Sequence, residues 1–240
     1  MLKKIKIKSK YDDLRNGLLY VTDDLRLLQK LREVGEAAAA VLTPENRDED
    51  FSGVPYAVER MEELEEEDWE RLYRRLAHLP WQIAETERCR LREMTAADTD
   101  RLYEIYADTE ITRYMEPLFE ERDKERRYIE DYRKYVYEFY GYGMWVIEEK
   151  ASGQVIGRAG IEAKEETLEL GYMVALPWQG KGIAYEACGA VLEYVRREIG
   201  SVSVTARTSP ANLPSIRLLE KLGFWKRRKS GEYFVYEKTV

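Results

Sequence analysis

The sequence predicts an α/β chain in two parts. A small strand–helix–strand module spans residues 1–85. A larger domain over 86–240 has a central, mostly antiparallel sheet with helices on both faces. Three observations lead there. Short apolar runs alternate with helical patterns along the whole chain. A break at Leu79-Pro80-Trp81 separates two such series, because a proline disfavours helix in the residue before it. Between 168 and 187 a strand-like run ends in a loop holding Gly180 and Gly182, then passes at once into a helical pattern through Ala184, Ala187, Val191, Leu192 and Val195.

In the front module, 17–21 reads as a buried strand. Thr22 or Asp23 caps a helix through Leu25, Leu27, Leu28 and Leu31 that ends at Gly35. Segment 37–42 is a second buried strand and 55–58 a short third one. Residues 61–79 read as a helix, acidic first and then carrying Arg71, Arg74 and Arg75, an order that suits the helix dipole. Strand–helix–strand implies parallel pairing with a right-handed crossover. The strands look too few to bury both faces of a sheet, so the module is expected to pack against the second domain and to have no chemistry of its own. Asp23 and Asp24 are adjacent and so do not form a phosphatase Asp-x-Asp, and no third acidic site or distal lysine completes a phosphoacceptor pocket. They read as helix caps, and the acidic stretch 46–53 as a solvated loop.

In the second domain, 91–93 is the opening strand, and 97–107 and 124–140 are helices. Segments 145–149 and 155–162 pair antiparallel around Ala151-Ser152-Gly153. Strand 167–174 leads into the glycine loop. Strand 201–207 alternates Val202, Val204 and Ala206 against polar neighbours. A helix over 212–222 follows, and 224–228 with 233–238 close the chain as a hairpin around Ser230-Gly231. Tyr128, Tyr132 and Tyr135 share one helical face; core or interface packing and a substrate-facing aromatic wall both stay open.

Composition narrows the function. A formal net charge of −7 argues against nucleic acid as partner and suits a cationic amine. Cys89 and Cys188 are too few for a disulfide framework or a four-cysteine zinc site, and a single histidine, His78, builds no metal cluster, so no metal is expected. No apolar core of signal-peptide length follows Met1, and no run approaches about 18 apolar residues. A soluble cytoplasmic protein with no membrane partner is the expectation, and a homodimer is compatible with it.

A glycine-rich strand-to-helix turn aims free backbone N–H groups and the positive end of a helix dipole at one point, which suits phosphate. The P-loop order fails because Lys181 precedes Gly182 and Ile183 follows it. The dinucleotide fingerprint fails at Tyr185, which stands where its third glycine belongs. Gln/Arg-x-x-Gly-x-Gly/Ala fits, as Gln179, Gly182 and Ala184. This resembles the pyrophosphate motif of the GNAT superfamily of acyl-CoA N-acyltransferases. Three flanking blocks resemble its ribosomal-protein N-terminal acetyltransferase branch in the branch's own order: Glu87 to Glu93 with Ala97-Asp98, Glu110 to Met115, and Ala211 to Phe224.

The resemblance, which covers 86–240, implies the GNAT fold and an acetyl-CoA-dependent N-acetyltransferase. The acetyl group would pass to a primary amine, a peptide N-terminus or a small amine, by direct attack in a ternary complex. Acetyl-CoA is the implied cosubstrate. Gln179, Gly180, Lys181, Gly182, Ile183 and Ala184 would cradle its phosphates, with the Lys181 charge nearby. The Val174 backbone N–H would face the thioester oxygen, with Met173 beside it. Glu169 is the candidate base, whereas Glu186 reads as structural. Many relatives carry a tyrosine acid seven residues after the counterpart of Asn212. Here that position is Leu219; in the ribosomal-protein branch a serine three residues after that asparagine sits near the sulfur, so the resemblance implies Ser215 as the candidate donor to sulfur and Asn212 as a partner of the pantetheine or of nearby backbone. Both also fit simple helix caps. A non-catalytic acyl-CoA sensor or interaction module is the alternative.

Overall fold

The computed structural model describes residues 2–6, 17–164, 167–200 and 203–240. Ser201 and Val202, expected to begin a strand, lie outside them. The chain divides into two compact units, Met1–Trp81 and Gln82–Val240.

The front unit is a four-stranded sheet in the order β1-β2-β3-β4, from Leu2–Lys6 (β1), Leu18–Thr22 (β2), Ala37–Val41 (β3) and Ala57–Val58 (β4). β2, β3 and β4 pair in parallel, and β1, which the sequence pattern does not show, adds antiparallel to β2. Helix α1 (Leu25–Glu33) and helix α2 (Glu66–Leu76) complete the unit. Strand alternation sends Leu19, Val21, Ala37, Ala39 and Val41 toward Trp69, Leu72, Tyr73 and Leu76 of α2. Ala38 and Ala40 pack instead with Leu25, Leu28 and Leu31 of α1. Both faces are therefore covered within the unit, against expectation, because alanines on β3 let the two helices sit close.

Three local expectations also change. The cap of α1 is Asp24, not Thr22 or Asp23: its Oδ1 accepts from the N–H groups of Arg26 (2.9 Å) and Leu27 (3.0 Å). The expected 61–79 helix splits into a 3-10 turn at Met61–Glu63 and α2, because Glu65 is extended and forms a capping box with Asp68. α2 stops before Pro80, since His78 takes φ 55°. The Leu79 N–H then bonds the Arg74 carbonyl and the His78 N–H the Arg75 carbonyl, a Schellman closure made without glycine. Asp24→Ala should cost the front unit about 1 kcal/mol, read as a lower midpoint of its urea transition in the full chain. An unmoved midpoint would refute the cap.

The second unit carries an eight-stranded sheet in the order β11-β12-β10-β9-β8-β7-β6-β5. Its strands are Gln82–Glu85 (β5), Cys89–Arg92 (β6), Met144–Glu149 (β7), Val155–Lys164 (β8), Thr167–Val174 (β9), Ser203–Thr208 (β10), Trp225–Ser230 (β11) and Tyr233–Thr239 (β12). β5 is an edge strand not foreseen in the sequence, and it moves the division of the chain from 85/86 to 81/82. Every pairing is antiparallel except β9 with β10. That parallel pair touches only at Leu168 with Val204 and Glu169 with Thr205. Beyond Glu169 the two strands part.

The helices are Thr99–Tyr106 (α3), Thr109–Thr112 (α4), Arg122–Tyr132 (α5), Glu138–Tyr140 (α6), Ile183–Tyr194 (α7) and Leu213–Lys221 (α8). Opposed residues of an antiparallel pair share a face. Arg158, opposite Met173, reaches Tyr106 of α3, whereas Tyr172, opposite Ala159, reaches Ser215 of α8. α3 and α8 thus lie on opposite faces of the sheet. A π-helical turn at Arg133–Tyr137 follows α5 and breaks the tyrosine stripe by inserting a residue into the helical register. Tyr132 and Tyr137 go into the core and bond the Met144 N–H and carbonyl respectively, Tyr128 lines a cavity, and Tyr135 turns out to solvent.

Candidate active site

The parting of β9 from β10 creates the site. The Ala175 N–H donates to the Ile156 carbonyl on β8 (2.8 Å). Successive residues of a strand turn their polar groups to opposite sides, so the N–H and carbonyl of Val174 point away from β8, into the split. The Val174 carbonyl is capped there by Gln179 Nε2 (2.8 Å). The Val174 N–H is left to the split, beside the buried Met173.

The glycine loop closes one end. Gly180 and Gly182 have φ of 71° and 81°, a conformation costly for any residue with a Cβ. Gly182 is the N-cap of α7. No hydrogen bond within the described residues engages the N–H groups of Gly180, Lys181, Gly182, Ile183 or Ala184, so all five remain for a ligand. Gln179 plays a different part from the one its motif position suggested, since its side chain ties the loop to Val174. Lys181 also differs: its Nζ lies 5.3 Å over the Trp178 ring. The cationic rim comes instead from α8, where Arg217 and Lys221 line the cavity and Lys221 Nζ sits 4.3 Å over the Tyr185 ring.

A clamp the sequence did not reveal shapes the loop. Arg88 donates from Nη1 to the Lys181 carbonyl (2.8 Å) and from Nε and its backbone N–H to Glu186 (both 2.8 Å). Burial raises the Glu186 pKa, but bonds from Thr86 and Arg88 outweigh it and hold the carboxyl below its ordinary value. Glu186 is structural, as expected.

At the split, Ser215 Oγ lies 2.7 Å from the Tyr172 hydroxyl. Burial pushes the Tyr172 phenol well above the ordinary tyrosine value, and the Ser215 bond offsets part of that rise. This tyrosine supplies a hydroxyl on the α8 side of the sheet although the expected tyrosine position is the fully buried Leu219. Asn212 is the N-cap of α8, its Oδ1 accepting from the Ser215 N–H (3.2 Å), so it positions Ser215. Glu169 borders the same cavity but is held by Arg207 Nε at 2.8 Å.

The cavity has a volume of about 1490 Å³. It runs from the loop and Ser215 past Val174 to Tyr106, Tyr128, Arg158 and Glu162 on the α3 face, with Glu110, Glu116, Glu120 and Glu121 at its border. Among the described residues no group of three His, Cys, Asp or Glu side chains can hold a metal, and no helix is long and apolar enough to cross a membrane.

A split parallel pair ending in a glycine loop with free backbone N–H groups, with a cavity bordering the same strand, defines a class of protein suited to a long ligand that carries phosphate at one end. The Acetyltransferase (GNAT) domain model matches residues 88–225, and the chain belongs to that family; it is an acetyl-CoA-dependent N-acetyltransferase, which sets aside the non-catalytic alternative. An uncharacterized N-acetyltransferase of Bacillus licheniformis is 32% identical over 158 residues, 64% of this chain and 86% of that protein. The ribosomal protein uS5-alanine N-acetyltransferase of Escherichia coli is 28% identical over 166 residues, 63% of this chain and 82% of its own. A solved structure of a putative GNAT-family acetyltransferase from Bordetella pertussis superposes with a TM-score of 0.56 at 26% identity, covering 66% of this chain and 99% of that one. Residues 1–87 lie outside the family match.

Proposed function

We propose that the acceptor is the α-amino group of a peptide or protein N-terminus, acetylated by direct attack within a ternary complex. The observation that carries this reading is the meeting of two approaches at Val174, the split on one side and the α3-face cavity on the other. At about 1490 Å³ the space exceeds the roughly 300–1,000 Å³ of an ordinary small-molecule site, so it accommodates the pantetheine arm together with the first residues of a peptide. The Escherichia coli relative, which acts on an alanine of a ribosomal protein, supports the same choice.

Acetyl-CoA supplies an acyl carbon activated by its thioester. The free N–H groups from Gly180 to Ala184 hold its phosphates, each charge-assisted bond contributing about 1.5–3 kcal/mol. The Val174 N–H donates to the carbonyl oxygen as negative charge develops there, a contribution of about 10²–10³ in rate for one such donor. Ser215, backed by the Tyr172 hydroxyl, donates to the departing sulfur. Glu162 and Glu169, directly opposed across β8 and β9, take the proton of the amine through water. A weak base suffices, because an α-amine with pKa about 7.7–8.0 is already about a tenth neutral at pH 7.

The pH profile tests this. On an alanine-initiated peptide, kcat/KM should rise with pH and level off above about 8, where the α-amine is neutral. Tyr172 stays protonated throughout, since burial holds its pKa high. A rise that continues toward pH 10, the behaviour of a lysine-type amine, would overturn the N-terminal choice. So would a cell extract in which labelled acetyl-CoA marks small molecules alone.

A further inference from the structure

Arg158 lines the cavity on β8, directly opposite Met173 and one strand from the reacting position. Its Nε is closed off from solvent and meets no acceptor. Nη1 reaches only the Tyr106 hydroxyl, at a long 3.4 Å. The carboxylates of the same region are engaged elsewhere. Glu162 lies 3.7 Å from Lys164 and 3.4 Å from the Tyr132 hydroxyl, Glu169 binds Arg207 at 2.8 Å, and Glu125 accepts from the Phe119 N–H at 3.1 Å. Arg92 shows how this fold treats a structural arginine: Asp98 takes both of its terminal nitrogens (2.8 and 2.9 Å) and Glu148 its Nε (2.9 Å).

A guanidinium does not deprotonate in a protein. Without a counter-ion, a charge in a cavity wall is a destabilising feature. It makes physical sense where the partner arrives with the ligand. We propose that Arg158 binds a carboxylate carried by the acceptor close to its reacting amine, through a two-point contact from its terminal nitrogens. This deepens the peptide reading and rests on it. Opposed Cβ atoms on paired strands stand about 5 Å apart, so Arg158 serves a carboxylate in the first or second residue of the peptide. Glu110, Glu116, Glu120 and Glu121 at the border repel a wholly acidic chain, which leaves a zwitterionic terminus, amine and carboxylate close together, as the fitting shape of charge.

The full chain is assayed with isosteric acceptor pairs: peptides beginning Ala-Asp against Ala-Asn, and free alanine against alaninamide. Wild type should show about ten- to a hundredfold higher kcat/KM for the carboxylate of one pair, the worth of a hydrogen bond to a charged group. Arg158→Gln should bring the acid down to its amide, and Arg158→Lys should keep part of the preference. Preference in the free-alanine pair alone would retain the Arg158 site and overturn the peptide reading. Calorimetry of the acetylated products, with coenzyme A present, reads the same discrimination without turnover, so it separates failure of transfer from failure of the carboxylate contact. Two outcomes overturn the proposal: Arg158→Gln lowering acid and amide equally, or wild type failing to discriminate in both turnover and product binding.

Discussion

Gly182→Trp should weaken acetyl-CoA binding by at least about a hundredfold, the loss of two charge-assisted hydrogen bonds. Gly182 is the N-cap of α7 at φ 81°, where an L side chain costs about 1–2 kcal/mol of backbone strain. The indole would also stand over the N–H groups proposed to hold the phosphates. Gly182 lies on the loop at the surface, with only Arg88 Nη2 near its missing Cβ, at 3.5 Å, so the fold should survive. Calorimetry with acetyl-CoA beside a thermal melt separates the outcomes. Binding within a few-fold of wild type, in a variant that melts normally, would remove the loop from the cosubstrate site.

Ser215→Ala and Tyr172→Phe should each lower kcat about a hundredfold, the low end of general acid catalysis. The low end applies because a thiol with a pKa near about 8.5 is already a fair leaving group. The two hydroxyls lie 2.7 Å apart and, in the proposed mechanism, act on one proton. The double variant should therefore lose little more than either single one, as for residues that work as a unit. Affinity for acetyl-CoA should stay near wild type in all three. Additive losses in kcat, or a loss confined to binding, would reduce Ser215 to a helix-cap residue and Tyr172 to packing.

Both experiments probe chemistry that was unevenly legible beforehand. Gly180, Gly182 and the start of α7 are contiguous, and a strand-to-helix turn is written in its own backbone, so a short window showed the glycine loop and the helix that follows it. The Asn212 cap of α8 was readable for the same reason, since it lies within one helix N-terminus. Tyr172 is 43 residues from Ser215 in sequence, and nothing in the strand pattern marks it, because alternate residues of a buried strand are aromatic or aliphatic for packing alone. The Arg88 clamp spans 98 residues and joins the connection between β5 and β6 to a helix of another layer.

Local pattern determined what each segment became. Short apolar runs made β2, β3 and β7 to β9, three- and four-residue spacing made α3, α5, α7 and α8, and glycine made the loop. Pattern lost its force at β1 and β5, where short edge strands take their pairing from a neighbour rather than from their own residues. It also failed along the tyrosine helix, where one π turn reassigned every side chain after it. Tertiary structure alone decided which polar groups lack partners. The parting of β9 from β10 after Glu169 leaves the Val174 N–H to the split. Arg92 is closed by two carboxylates, whereas Arg158, the same residue type on a neighbouring part of the sheet, meets none. A residue's type states which bonds it can make. Only the positions of distant residues state which of those bonds the fold has already used, and the remainder is what a substrate finds.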